Sequence, residues 1–357
     1  MNSGKLVLIV IALFASDTRA ADLVPGATKR LDAYFDLLAQ QELVNGSIAI
    51  SERGAMRYRR SVGFASIEDG RPQAADEGTR YRIGAVSRLF TAAMTLQLAE
   101  TATLTLDNTL AEFYPDLPNA LRITYRQLLQ DRSGLSDYSA APALAEARTT
   151  PRSHADLLRL IETGGTRFAP GERVDVIDTN YLLLGYVLEK IREDSYAEIL
   201  KRQVAAKLGI ARTYYAGAGA ASTLESRSYR WAAGWQAVPD DDPSLSGGAG
   251  ALVSNAGDLV TVVDAMFAGK IVTPYSLATM REQGIGLRTI DIAGNSCLGA
   301  RGRSAAFDTF VCHFPERRIT IAWTGNATRL PVDALLDETL RLVFDKGRKP
   351  PKSVAAE

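Results

Sequence analysis

In residues 28–41, Leu31, Tyr34, Phe35 and Leu38 fall on one face at helical spacing, which predicts an amphipathic helix. The pattern then turns strand-like. Residues 46–51 and 56–63 are strand-like runs on either side of Glu52-Arg53-Gly54-Ala55, the pattern of a hairpin. The long middle is helical, with periodic segments at 89–100, 154–163, 180–192 and 195–208 separated by turn residues. Strand-like runs return at 296–298, 307–314 and 318–323, and a helix over 332–344 closes the pattern. Residues 346–357 are polar and Pro-containing and read as a flexible tail.

Helix, hairpin, helical block, strands and helix is the order expected of an α+β fold: an α/β sandwich into which an all-α region is inserted. Short turns between the strands make the sheet antiparallel, flanked by helices. One domain over 21–345 results, with its α/β part at 21–80 and 225–345 and its all-α part at 81–224. No internal repeat is visible.

The first twenty residues read as a signal peptide. Lys5 precedes ten apolar residues at 6–15, and Thr18-Arg19-Ala20 resembles a small-x-small cleavage site. Ten residues are too few to span a bilayer, which takes roughly twenty, and no later apolar run is long enough. The expectation is a periplasmic or secreted protein with no transmembrane segment after cleavage. Zero net charge gives no reason to expect nucleic acid as a partner. With two histidines, His154 and His313, there is no His-rich metal site, and neither a metal nor another cofactor is expected. Asp240-Asp241-Asp242 lies between two prolines and reads as a solvated loop rather than a cation site.

Export draws attention to the two cysteines. Cys297 and Cys312 flank a loop-like stretch, 299–306, almost symmetrically. On two antiparallel strands they could face each other as a disulfide. The alternative is two buried thiols, since a one-residue slip sends the side chains to opposite faces.

Five segments carry candidate chemistry. They are Tyr81-Arg82-Ile83-Gly84-Ala85-Val86-Ser87-Arg88; Ile123 to Leu129 with Ser133-Gly134-Leu135; Pro170-Gly171-Glu172-Arg173 with Thr179-Asn180-Tyr181; Gly250-Ala251-Leu252-Val253-Ser254-Asn255; and Phe314-Pro315-Glu316. In this order and spacing they resemble landmarks of the serine β-lactamase and penicillin-binding protein superfamily over nearly the whole mature chain. The resemblance implies a β-lactamase/transpeptidase-like fold and a cleft where three motifs converge.

All three motifs are altered. Ala85 and Arg88 stand where the family has the Ser nucleophile and the Lys one turn later. An alanine cannot attack a carbonyl, and an arginine, with a pKa above about 12, cannot serve as base. Ser87 is rotated by roughly 200° along the helix and faces away. Val176-Ile177-Asp178 replaces Tyr-Ser-Asn, removing the proton-handling hydroxyl. The family places the Lys and Asn of these motifs side by side, so Arg88 and Asp178 are expected to pair, bidentately; the alternative is two unrelated surface charges. Ala300-Arg301-Gly302 stands for the Lys/His-Thr-Gly strand, keeping only the glycine; Arg301 either binds an anion or points to solvent. Asp131 replaces a His in a region read as a packing landmark.

Three functions are open at this stage. The first is an exported pseudoenzyme whose cleft binds a cell-wall peptide or small carboxylate ligand through Arg88, Asp178 and Arg301, or whose surface binds an envelope protein. The second is an active hydrolase with a rearranged set, such as Asp178 acting on water or chemistry at Ser304. The third is an inert structural or assembly protein of the cell envelope.

Overall fold

A computed structural model describes residues 23–217 and 225–355. The expected signal peptide lies outside the described residues. Among the described residues no helix is long and apolar enough to cross a membrane.

Six strands form the main sheet: β1 (Val44–Glu52), β2 (Ala55–Val62), β3 (Arg288–Ile292), β4 (Asn295–Ser304), β5 (Phe307–Phe314) and β6 (Ile319–Thr328). They run in the order β3-β4-β5-β6-β1-β2, every neighbour antiparallel. The first and last long segments of the chain therefore meet at the centre, β1 against β6. Such long-range pairing is available because β1 is buried along its whole length, as a strand covered on both faces must be.

Side chains alternate across β1 and β6 and sort into two cores. Ile48, Ile50, Ile321 and Trp323 face one side, where helices α1 (Ala27–Gln40) and α6 (Val332–Phe344) cover them. Phe35 of α1 stacks on Trp323 with ring centroids 6.2 Å apart. Ala49 and Ala322 face the other side, where helix α4 (Ala256–Phe267) lies across the sheet. Beyond it is the helical region. Its centre is α2 (Ser87–Glu100), buried on nearly every face, against α3 (Asp178–Arg192). A fifth helix, α5 (Pro274–Gln283), precedes β3.

Several sequence expectations change. The stretch 299–306 is not a loop: β4 runs to Ser304 and only Ala305 and Ala306 turn the chain, Ala305 with φ +50°. Its glycines misled the pattern reading, because they serve close approach rather than flexibility. A Cβ on Gly299 would lie 2.1 Å from the Val311 carbonyl oxygen and one on Gly302 2.1 Å from that of Ile83. Strand β3, whose sequence Arg-Thr-Ile-Asp-Ile is short and polar on alternate positions, was not anticipated. The expected tail is also held down: Arg348 Nε donates to Glu338 at 2.9 Å, and the Val354 N–H donates to Gln41 Oε1 at 3.3 Å.

The acidic run is half-buried rather than solvated. Arg82 lies 3.8 Å from Asp240, Arg148 Nε donates to Asp241 at 2.8 Å, and Asp242 accepts the Ser244 N–H at 3.0 Å. Cys297 and Cys312 are bridged, with sulfurs 1.99 Å apart and Cα atoms 5.9 Å apart. Cys312 sits opposite Gly299 in the β4–β5 register, so the cysteines are diagonal neighbours two positions apart. A two-residue offset keeps both side chains on one face.

Candidate functional site

A single turn over Gly84–Val86 leads into α2. It is pinned to the strand Leu252–Ser254 from both directions. The Ile83 N–H donates to the Leu252 carbonyl at 3.0 Å, and the Leu252 N–H donates to Ser87 Oγ at 3.1 Å. Ser87 is thereby wholly buried and its oxygen is occupied. β4 crosses beneath the same turn, its Gly302 leaving no room for a side chain between Ile83 and Ala85. These contacts set Ala85 at the wall of a cavity of about 260 Å³. Arg88, one helical turn later, lines the same cavity.

Arg88 and Asp178 meet: Nη2 donates to Asp178 Oδ1 at 2.5 Å. The pairing is not a bidentate fork to one carboxylate. The other terminal nitrogen, Nη1, faces Asp131 Oδ1 at 3.8 Å, so one guanidinium is shared between two acids. The ring of Tyr181 lies beneath it, 5.3 Å from its carbon, a cation–π arrangement. The Arg88 side chain is only 12% exposed. Burial alone would pull its pKa down, but Asp178 and Asp131 overcome that and hold it above the ordinary arginine value. It stays protonated.

Asp131 is the hub. Its side chain is 3% exposed, and it accepts from Arg288 Nη2 at 2.8 Å and from Asn180 Nδ2 at 3.1 Å. Asn180 is oriented in turn by Ser133, whose hydroxyl donates to its Oδ1 at 2.5 Å. Asp131 follows the helix Tyr125–Leu129 with φ +56°, a left-handed conformation that Asp tolerates better than most residues. Its carbonyl accepts the Asp175 N–H at 2.7 Å, which ties the loop bearing Val176 and Asp178 to the same point. Burial raises the Asp131 carboxyl pKa, against the lowering pull of Arg88, Asn180 and Arg288.

The other predicted positions are divided. Val176 is half-exposed on the rim, and Ala300 lines the cavity wall. Arg301 borders the cavity, but its guanidinium turns away from it. It pairs with Asp333 of α6 and lies 5.3 Å from the Phe310 ring centroid, on the face opposite the helical region. Strand alternation dictates this, since Ala300 and Gly302 face the helices and Arg301 must face the other way. Ser304 lies at the end of β4, outside the cavity lining. Asp178 is tied to Arg88 through Oδ1, and its side chain is partly exposed. His154 stacks on Tyr186 and His313 on Phe267; neither lines the cavity. Among the described residues no group of three His, Cys, Asp or Glu side chains could hold a metal ion.

Sequence reasoning missed Asp131 and Tyr181 as site residues, although both lie in landmark segments, and Arg288 and Ile290 altogether. Asp131 carried a signal, a charged residue in an apolar landmark. Arg288 and Ile290 carried none, because their strand went unseen. The hydroxyls in the lining are those of Thr289 and Tyr181, and it contains no thiol. Tyr181, the one phenol in it, donates to the Leu129 carbonyl at 2.9 Å and is pushed far above its ordinary pKa by burial.

Comparison with known proteins places this geometry. The family model described as Beta-lactamase matches residues 31–346. Penicillin-binding protein 4* of Bacillus subtilis is 26% identical over 187 residues, 52% of this chain and 41% of that protein. The teichoic acid D-alanine hydrolase of Staphylococcus aureus is 25% identical over 170 residues, 48% of this chain and 40% of that one. The chain thus spans about two fifths of the length of the curated relatives it matches. Among solved structures, the D-amino acid amidase of Ochrobactrum anthropi SV3 superposes with a TM-score of 0.79 at 20% identity, covering 88% of this chain and 99% of that one. The octameric penicillin-binding protein homologue of Pyrococcus abyssi gives a TM-score of 0.76 at 23% identity, covering 91% and 78%. At these identities the structural likeness speaks for the fold.

Proposed function

The chain belongs to the β-lactamase family, and from that premise we propose that it is an exported member that has given up acylation and uses its cleft to bind without reacting. One observation carries the reading. The position one turn before Arg88 presents the methyl group of Ala85 to the cavity, and Arg88 itself is locked between Asp178 and Asp131. Covalent catalysis needs a nucleophile with a base in reach; here there is no attacking atom, and the group in the base position is held protonated. The altered second motif supports the same reading, since Val176 has no proton to give. Export is supported by the apolar segment at 6–15 and by the Cys297–Cys312 bridge, a bond of the kind that persists in oxidising compartments.

The test is covalent labelling. Purified protein incubated with a fluorescent penicillin and, separately, with a fluorophosphonate probe should remain unlabelled under denaturing electrophoresis. Stoichiometric labelling by either would overturn the reading and return the protein to the active hydrolases.

A further inference from the structure

The ions around the cavity are matched one for one. Its charged lining side chains are Arg88, Asp131, Arg288 and Arg301. Arg88 and Arg288 converge on Asp131, Arg88 also holds Asp178, and Arg301 is turned to Asp333. Three guanidiniums thus face three carboxylates. What remains for a visitor is mostly apolar: the Ala85 and Ala300 methyls, Val176, Ile290 and the Tyr181 ring, with Thr289 adding one neutral hydroxyl. An incoming carboxylate would add a fourth negative charge beside Asp131 and Asp178 and lose its hydration without gaining a cation. An incoming cation would meet the like charges of Arg88 and Arg288, with Asp131 already engaged by both. Burying either charge unpaired is costly. An uncharged molecule avoids both penalties and still covers the apolar wall.

Size narrows the class further. The cavity holds about 260 Å³, and one of roughly 150 Å³ already admits a benzene ring. We infer that the cleft takes a compact, uncharged, ring-sized molecule, with at most one hydrogen-bond acceptor turned toward the half-exposed Arg288. This departs from the carboxylate ligand that the sequence resemblance suggests. It rests on the proposed function only in treating the cleft as a non-covalent site.

Benzamide, benzoate and benzamidine share one shape and differ in charge, so they test the inference directly. Each is titrated at neutral pH into the full-length protein, and into Ala85→Leu and Val176→Trp, with protein-observed NMR as readout. Benzamide should bind at least about tenfold more tightly than either ion, a gap of about 1.4 kcal/mol. That binding should disappear in Ala85→Leu, which fills the cavity. Val176→Trp, on the rim, covers the case in which the leucine variant does not fold. The inference is overturned if an ion binds as tightly as benzamide, or if benzamide still binds the filled variants. It is overturned too by no binding up to about 10 mM, where about 0.3 kcal/mol per heavy atom would place so small a ligand. Benzamide does not acylate serine enzymes readily, so this outcome is independent of the covalent labelling result.

Discussion

Arg88 of α2 and Asp131, 43 residues later at the end of another helix, face each other at 3.8 Å with both side chains largely buried. Arg288 approaches the same carboxylate from the sheet. The contact joins the helical region to the sheet through one buried acid, so the loss of that acid should be felt across the cleft.

Asp131→Asn should therefore cost on the order of 1–3 kcal/mol in urea unfolding, since Arg88 keeps Asp178 but Arg88, Arg288 and Asn180 all lose a buried partner. Asp178→Asn should cost about 1 kcal/mol or less, because Asp178 is 36% exposed and water screens its half of the interaction. The double variant Arg88→Met/Asp131→Asn should cost clearly less than the sum of its single changes. Equal costs for the two Asp variants would show that Asp131 is not the hub.

His313 should give the protein an acid limb. The Thr320 hydroxyl donates to Asp264, so the proton in the 2.8 Å contact between Thr320 Oγ1 and His313 Nδ1 comes from the histidine. Burial first, then Arg318 and Arg281, lowers the His313 pKa from 6.5 to about 4. A base whose folded pKa is depressed contributes stability above its unfolded pKa and loses it as pH falls. The loss should run from about pH 6.5 to 4 and total about 3 kcal/mol. Asp264, raised by burial, lies 3.9 Å from the ring and shares Thr320 with it, so the difference between wild type and His313→Asn reports the histidine together with its coupling to Asp264. A parallel pH dependence in the two would refute the assignment.

The Cys297–Cys312 bridge closes a loop of 15 residues, for which the chain-entropy argument gives about 3 kcal/mol. Replacing both cysteines with alanine should lower the thermal midpoint by several degrees. A reducing agent added to the wild type should shift it the same way, and neither treatment should unfold the hairpin outright, because β4 and β5 remain paired on both sides.

Ala85→Ser/Arg88→Lys restores the first motif on paper. It should still not react with a fluorescent penicillin, because Val176 supplies no hydroxyl and Asp178 would hold the new lysine protonated. Rapid labelling of this double variant would mean that the rest of the cleft is intact and that only the quartet was altered.

The antiparallel α/β plan, the first hairpin and the terminal helices were legible from local pattern, and the altered quartet at 85–88 from the family resemblance. Each rests on side-chain periodicity or on residue identity at a single position, and both survive in a linear string. Residues 299–306 and 288–292 were misread for the opposite reason: their glycines and polar residues answer to neighbours such as Ile83 and Val311 that lie far away along the chain.

Sequence alone determined what the cleft lacks, since an alanine has no nucleophile in any fold. Only the tertiary structure decided what the cleft contains. It turned Arg301 away through strand alternation, and it made Asp131 the partner of both Arg88 and Arg288. Charge pairing depends on distance and burial, and in this protein those are set by β4 passing beneath α2 and by the loop at Asp131.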